Sequence, residues 1–72
     1  MALHIEEGRF RIEVSSAPSL HGWRSMAVAY EVGGSNAFGP LQSELFPSRE
    51  DAESAALALI REKIAARGAA PQ

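Results

Sequence analysis

A single amphipathic helix, predicted over Ser48 to Gly68, sets what this chain can fold into. Ser48 stands where an N-cap belongs. Asp51, three residues on, takes the place of the Glu or Gln of a capping box. Glu50, Asp51 and Glu53 crowd the first turn, while Arg61, Lys63 and Arg67 occupy the last two. Each group has the sign that the helix dipole favours at its end. Gly68 suits a left-handed stop. At about 100° per residue, Ala52, Ala56, Leu57, Leu59, Ile60 and Ile64 fall within a sector of roughly 160°. Ser54, Ala58, Arg61, Glu62 and Ala65 lie opposite. A helix of this length is marginal alone in water, so it needs a surface to cover. The small Ala52 and Ala56 suit close approach to a sheet. A membrane-surface role is disfavoured, because the polar face is mixed in sign and the apolar face has no aromatic.

The preceding residues read as that sheet. Leu3 and Ile5 alternate with His4, either as a short edge strand or as the start of the first long one. Gly8 permits a bulge or a turn. Arg9 to Ser15 is a strand with Phe10, Ile12 and Val14 on one face and Arg9, Arg11, Glu13 and Ser15 on the other. Ser16 to Gly22 reads as a loop. Trp23 to Val32 is the second long strand. Its Met26, Val28, Tyr30 and Val32 are expected to face the core, with Ser25, Ala27, Ala29 and Glu31 outward. Gly33-Gly34-Ser35-Asn36 is the strongest turn signal, and its loop is expected to run on to Gly39-Pro40. Leu41 to Phe46 forms a shorter strand that Pro47 ends.

These connections are too short for parallel crossovers. The predicted class is α+β: a three- to four-stranded antiparallel meander packed on one C-terminal helix, in the order β-β-β-α. Residues 1–68 form one domain and 69–72 a frayed tail. The predicted core is Phe10, Ile12, Val14, Met26, Val28, Tyr30, Val32, Phe46, Ala52, Ala56, Leu59, Ile60 and Ile64. A composition of 46% hydrophobic residues supports such a core and argues against disorder. A net charge of −2 gives no general attraction to nucleic acid or anionic lipid. Without cysteine there is no disulfide scaffold, thiol nucleophile or cysteine metal site. No apolar run approaches the ~18 residues of a membrane span. The N-terminus lacks the basic and apolar segments of a signal peptide. A cytoplasmic setting is expected. A domain this small has a thin stability margin, which a homodimer would widen.

The succession Gly22-Trp23, an alternating strand through Tyr30, and Phe46-Pro47-Ser48-Arg49-Glu50-Asp51-Ala52 opening the helix resembles a loose group of short uncharacterised bacterial proteins. Some of that group are encoded in prophage-like regions. The resemblance implies a three- or four-stranded sheet with one helix and carries no active site. The strand order is also similar to that of DNA-binding domains of the plant AP2 type and of the phage-integrase arm type. In those domains the open face of the sheet enters the major groove.

Residue types that carry chemistry are sparse. His4 and His21 lack the clustered ligands of a metal site, and no cofactor is expected. No serine sits in a Gly-x-Ser-x-Gly elbow. Gly33 to Asn36 lacks the lysine and following helix of a phosphate loop, so a hairpin turn explains it better. The acidic cluster at Glu50, Asp51 and Glu53 has no liganding loop, and the helix dipole accounts for it. The candidate binding surface is the outer face of the sheet, with Arg9, Arg11 and Glu13 beside Trp23, Ser25, Ala27, Ala29 and Glu31. Arginine and tryptophan are favoured at binding hot spots. In the competing structural reading, Trp23 folds over the sheet edge or under the 16–22 loop, and the arginines pair with Glu13 and Glu31. The expected function is a non-enzymatic protein-interaction or regulatory module, with an unidentified protein or a second copy as partner. The alternative is a nucleic-acid-binding module that uses the same face through Arg9, Arg11, Trp23 and Arg24. Only two or three cations converge there, which disfavours it.

Overall fold

The computed structural model describes residues 2–34 and 36–68. The expected tail at 69–72 lies outside the described residues, as do Met1 and Ser35. Four strands, β1 (Ala2–Glu7), β2 (Phe10–Ser19), β3 (Gly22–Glu31) and β4 (Ala37–Gln42), precede one helix, α1 (Arg49–Gly68). They form a single antiparallel sheet in the order β1-β2-β3-β4. The α+β class and the meander agree with the expectation from sequence, and residues 2–7 are the fourth strand.

The helix starts where its cap places it. The Asp51 amide donates to Ser48 Oγ at 3.1 Å, and the Ala52 amide to the Ser48 carbonyl at 3.2 Å. The helix lies along β3, with β2 and β4 on either side. Its first turns lie near Ser16 and Trp23. Further along, Arg61 meets Glu7 of β1, with Nη2 2.6 Å and Nε 2.9 Å from Oε1.

The phase of β3 differs from expectation. No seven-residue loop separates β2 from β3. Both strands run to a tight turn at Leu20 and His21, with Ser19 paired to Gly22. In that register every even-numbered residue of β2 faces an odd-numbered residue of β3. Ile12 and Val14 therefore share a face with Ala27 and Ala29, and all four are buried, together with Ala52, Ala56 and Ile60. The expected core members Met26, Val28, Tyr30 and Val32 lie in the other phase. Met26, Tyr30 and Val32 are 37%, 44% and 61% exposed. Apolar content alone pairs the two most apolar strand faces, whereas a two-residue turn fixes their parity.

Small residues meet at the centre. Ala27 and Ala29 on the sheet share one core cluster with Ala56 on the helix, and Ala52 one turn earlier is buried too, so the helix can approach the strands closely. Larger side chains close the margins. Ile5, Phe38, Leu41, Leu57 and Ile64 pack around this centre. The Phe10 and Phe38 rings sit 5.6 Å apart at 51°. Leu59, expected in the core, is 40% exposed. It falls at the margin of the apolar sector, and the buried arc centres on Ala56 and Ile60.

The end of the sheet is held by backbone contacts. Trp23 and Phe46 exchange two hydrogen bonds, of 2.7 and 2.9 Å. A Cβ on Gly22, whose φ is +139°, would stand 2.5 Å from the Phe46 carbonyl oxygen. β4 is also earlier than expected. It starts at Ala37 and contains Gly39-Pro40, where its register with β3 shifts between Ala27 and Ala29. Gly39 has φ +98°, and a Cβ there would lie 2.8 Å from the Ala27 carbonyl oxygen.

Two outcomes test this packing by urea unfolding. Ile60→Ala should cost about 2–5 kcal/mol as a core truncation, and Leu59→Ala about 1 kcal/mol or less. Equal losses would contradict the helix orientation. Gly22→Ala should cost more than about 1 kcal/mol, because the backbone conformation and the Phe46 carbonyl both oppose a side chain. A neutral result would contradict the Trp23–Phe46 junction.

Candidate interaction surface

The structure divides the eight residues of the candidate surface between two faces. Arg11 and Glu13 lie on the outer face, away from the helix, as expected. Arg9 precedes β2 in the turn from β1, and its carbonyl accepts the Val32 amide at 2.7 Å. Trp23, Ser25, Ala27, Ala29 and Glu31 belong to the helix-facing phase of β3. Ser25, Ala27 and Ala29 are buried there, so they cannot be part of an exposed surface. This correction follows from the same turn parity.

Ser25 belongs to a polar row beneath the first turns of the helix. Its hydroxyl lies 2.6 Å from that of Ser16, which donates to Glu53 Oε2 at 3.2 Å. Its amide donates to Ser43 Oγ at 3.0 Å, and its carbonyl accepts the Ser43 amide at 2.8 Å. Ser43 Oγ donates onward to the Glu44 carbonyl at 2.7 Å. The Ser43 side chain thus supplies a ladder acceptor just past the end of β4, and the buried hydroxyls are satisfied.

Trp23 is half-buried beside the start of the helix. Arg49 lies over its ring, 5.9 Å from the centroid, and Arg49 Nε is 3.9 Å from Glu53 Oε2. Trp23 therefore lies on the helix side of an interior strand, and not under a 16–22 loop, since strand pairing runs through that segment to the turn at Leu20 and His21. Glu31 is likewise engaged. Its carboxylate accepts Asn36 Nδ2 at 2.8 Å and lies 3.9 Å from Arg9.

On the outer face, Arg11 and Glu13 are joined by residues of β1 and by the other phase of β3. Across the sheet, Glu6 faces Arg11, which faces Tyr30, which faces Ala37. His4, Glu13 and Val28 form the next row, and Ser15, Met26 and Gln42 the one after. The result is an apolar stripe along β3 flanked by charge on β1 and β2. Arg11, Glu13, Tyr30, Glu31 and Val32 line an open groove of about 350 Å³ at one end. Arg11 lies 3.9 Å from Glu6, and the His4 ring lies 3.6 Å from the Glu13 carboxylate. Exposed pairs of this kind contribute about 0–1 kcal/mol each.

A second concavity of about 440 Å³ runs between the helix and the segment after β4, lined by Phe46, Ala55, Ala58 and Leu59 among others. His21 sits exposed at the β2–β3 turn, where its amide donates to Ser19 Oγ at 3.2 Å. Among the described residues, no three His, Asp or Glu side chains come together as a metal site. Among the same residues, no helix is long and apolar enough to cross a membrane.

Sequence reasoning missed Met26, Val28, Tyr30 and Val32 as surface residues. Two signals pointed to them: Ser19 and Gly22 flanking a two-residue turn, and the matching alanine pairs on β3 and α1. No family model, curated protein or solved structure matches this chain.

Trp23 is the chain's one tryptophan and reports on its own site. Arg49→Ala should change Trp23 emission and its iodide quenching. It should shift stability by no more than about 1 kcal/mol, as the loss of a partly exposed cation–π contact. Unchanged fluorescence would show that Arg49 does not cover the ring.

Proposed function

We propose that this protein is a small non-enzymatic interaction module that docks a partner protein on the outer face of its sheet. One observation carries the reading. The chain places alanines and a serine beneath its helix and leaves Met26, Tyr30 and Val32 exposed in one row. An apolar stripe rimmed by paired charges is the composition of a protein-binding patch. Tyr30 stands at its centre, an aromatic of the type enriched at hot spots, with Arg11 across the strand.

The nucleic-acid alternative has less support. Arg9 and Arg11 each have a carboxylate within 3.9 Å, and Glu6 and Glu13 share the outer face with Arg11. Trp23, the expected stacking residue, is in the opposite phase. The single lysine, Lys63, is on the helix. Phosphate binding gains from each cation that converges on the backbone, and few converge here.

A photo-reactive phenylalanine analogue at Tyr30 tests both readings in cells. Irradiation should give a discrete protein adduct that is absent when the analogue replaces exposed Glu50. Adding Met26→Asp should abolish it. Adducts of nucleic acid alone, or equal yields from both positions, would overturn the proposal.

A further inference from the structure

We propose that a second copy of this chain pairs along the open edge of β1, joining two four-stranded sheets into one about a twofold axis. The two edges of the sheet differ. The β4 edge has Gly39-Pro40 at its middle, so one amide is missing, and its register is irregular. Proline and a bulge are standard protection against further pairing. β1 has neither. Its six residues pair with β2 in unbroken register, without proline, glycine or lysine. Alternate residues therefore turn amides and carbonyls toward the open side.

The helix leaves this strand bare. α1 packs along β3, β2 and β4, and reaches β1 through the Arg61–Glu7 pair at its end. Leu3 and Ile5 lie on the helix side of β1. Leu3 is 38% exposed and Ile5 is half-buried at the edge of the core. An occupant that extends the sheet and brings its own aliphatic side chains to this side would cover them.

A second copy meets both requirements in one register. An antiparallel pairing centred on His4 sets Leu3 opposite Ile5 of the other copy, and Ile5 opposite its Leu3. Four aliphatic side chains then form one cluster between the two helices, which stay on the same side of the joined sheet. Glu6 and Glu7 of one copy fall at the opposite end of the junction from those of the other. Centring on Glu6 would stack the acids. Centring on Ile5 would place Leu3 against Glu7, which Arg61 already holds. The junction spans about five residue pairs, below the area of a standard interface, so the dimer is weak and concentration-dependent.

Two measurements test it. Sedimentation equilibrium of the whole chain should show a monomer–dimer equilibrium in the micromolar range, roughly 10–500 µM. Leu3→Asp should weaken it at least tenfold while the helical circular dichroism is kept. Tyr30→Glu should leave it unchanged, which separates this junction from the outer-face site. The chain has no cysteine, so His4→Cys can bridge only to another copy. Directly opposed strand residues have Cα atoms about 4.5–5.5 Å apart, within disulfide reach. Mild oxidation should cross-link His4→Cys at least ten times faster than Glu44→Cys. A monomer throughout that range, a dimer lost with Tyr30→Glu and kept with Leu3→Asp, or equal cross-linking rates would each overturn the proposal.

Discussion

The two-residue turn at Leu20 and His21 governs the rest of this structure. A tight hairpin makes the facing of one strand depend on the facing of the other, because side chains alternate with period two. Ile12 and Val14 are large apolar side chains of β2 and must be buried. With Ser19 paired to Gly22, their burial sends Ala27 and Ala29 inward as well. Gly22 lets the turn close against the Phe46 carbonyl, where a side chain would collide. A loop one residue longer would turn Met26, Val28 and Tyr30 toward the helix.

The core has an unusual composition as a result. Alanine on the sheet meets alanine on the helix, and bulk is supplied mainly by Ile12, Val14 and Ile60. Small side chains bury little area each, so the driving force per residue is modest. Close approach compensates in part through dense contact. The ends of the layer rely on other devices. Serine hydroxyls and the Glu53 carboxylate satisfy one another near the helix start, and the Arg61–Glu7 pair ties the helix to β1. The Trp23–Phe46 backbone bridge carries the chain from β4 to the helix cap.

The same parity shapes the surface. The larger apolar residues Met26, Val28 and Tyr30 of β3 are displaced to the outer face, where they stand in a row beside the polar and charged residues of β1 and β2. The docking proposal rests on that displacement. Arg9 and Arg11, expected to meet a ligand, are held near carboxylates, and the tryptophan expected beside them lies by the helix. A surface patch and a one-layer core are thus two results of one turn.

Much of this was legible in the chain. Ser48 and the acids after it marked the helix start, and Ala52, Ala56 and Ile60 marked its buried face. Alternation marked β2 and β3, and their antiparallel order came from short connections. The candidate surface was legible only in part: Arg11 and Glu13 fell where β2 placed them, while the β3 members were assigned to the wrong face. The sequence by itself determined the helix and the central parts of β2 and β3, because periodicity and capping are local properties, while it read 16–22 as a loop and set the last strand at 41–46 in place of Ala37–Gln42. Only the tertiary structure decided which face of β3 is buried. Both faces are apolar enough to pass, and the choice depends on a turn length and on how closely a helix of alanines can settle on the sheet.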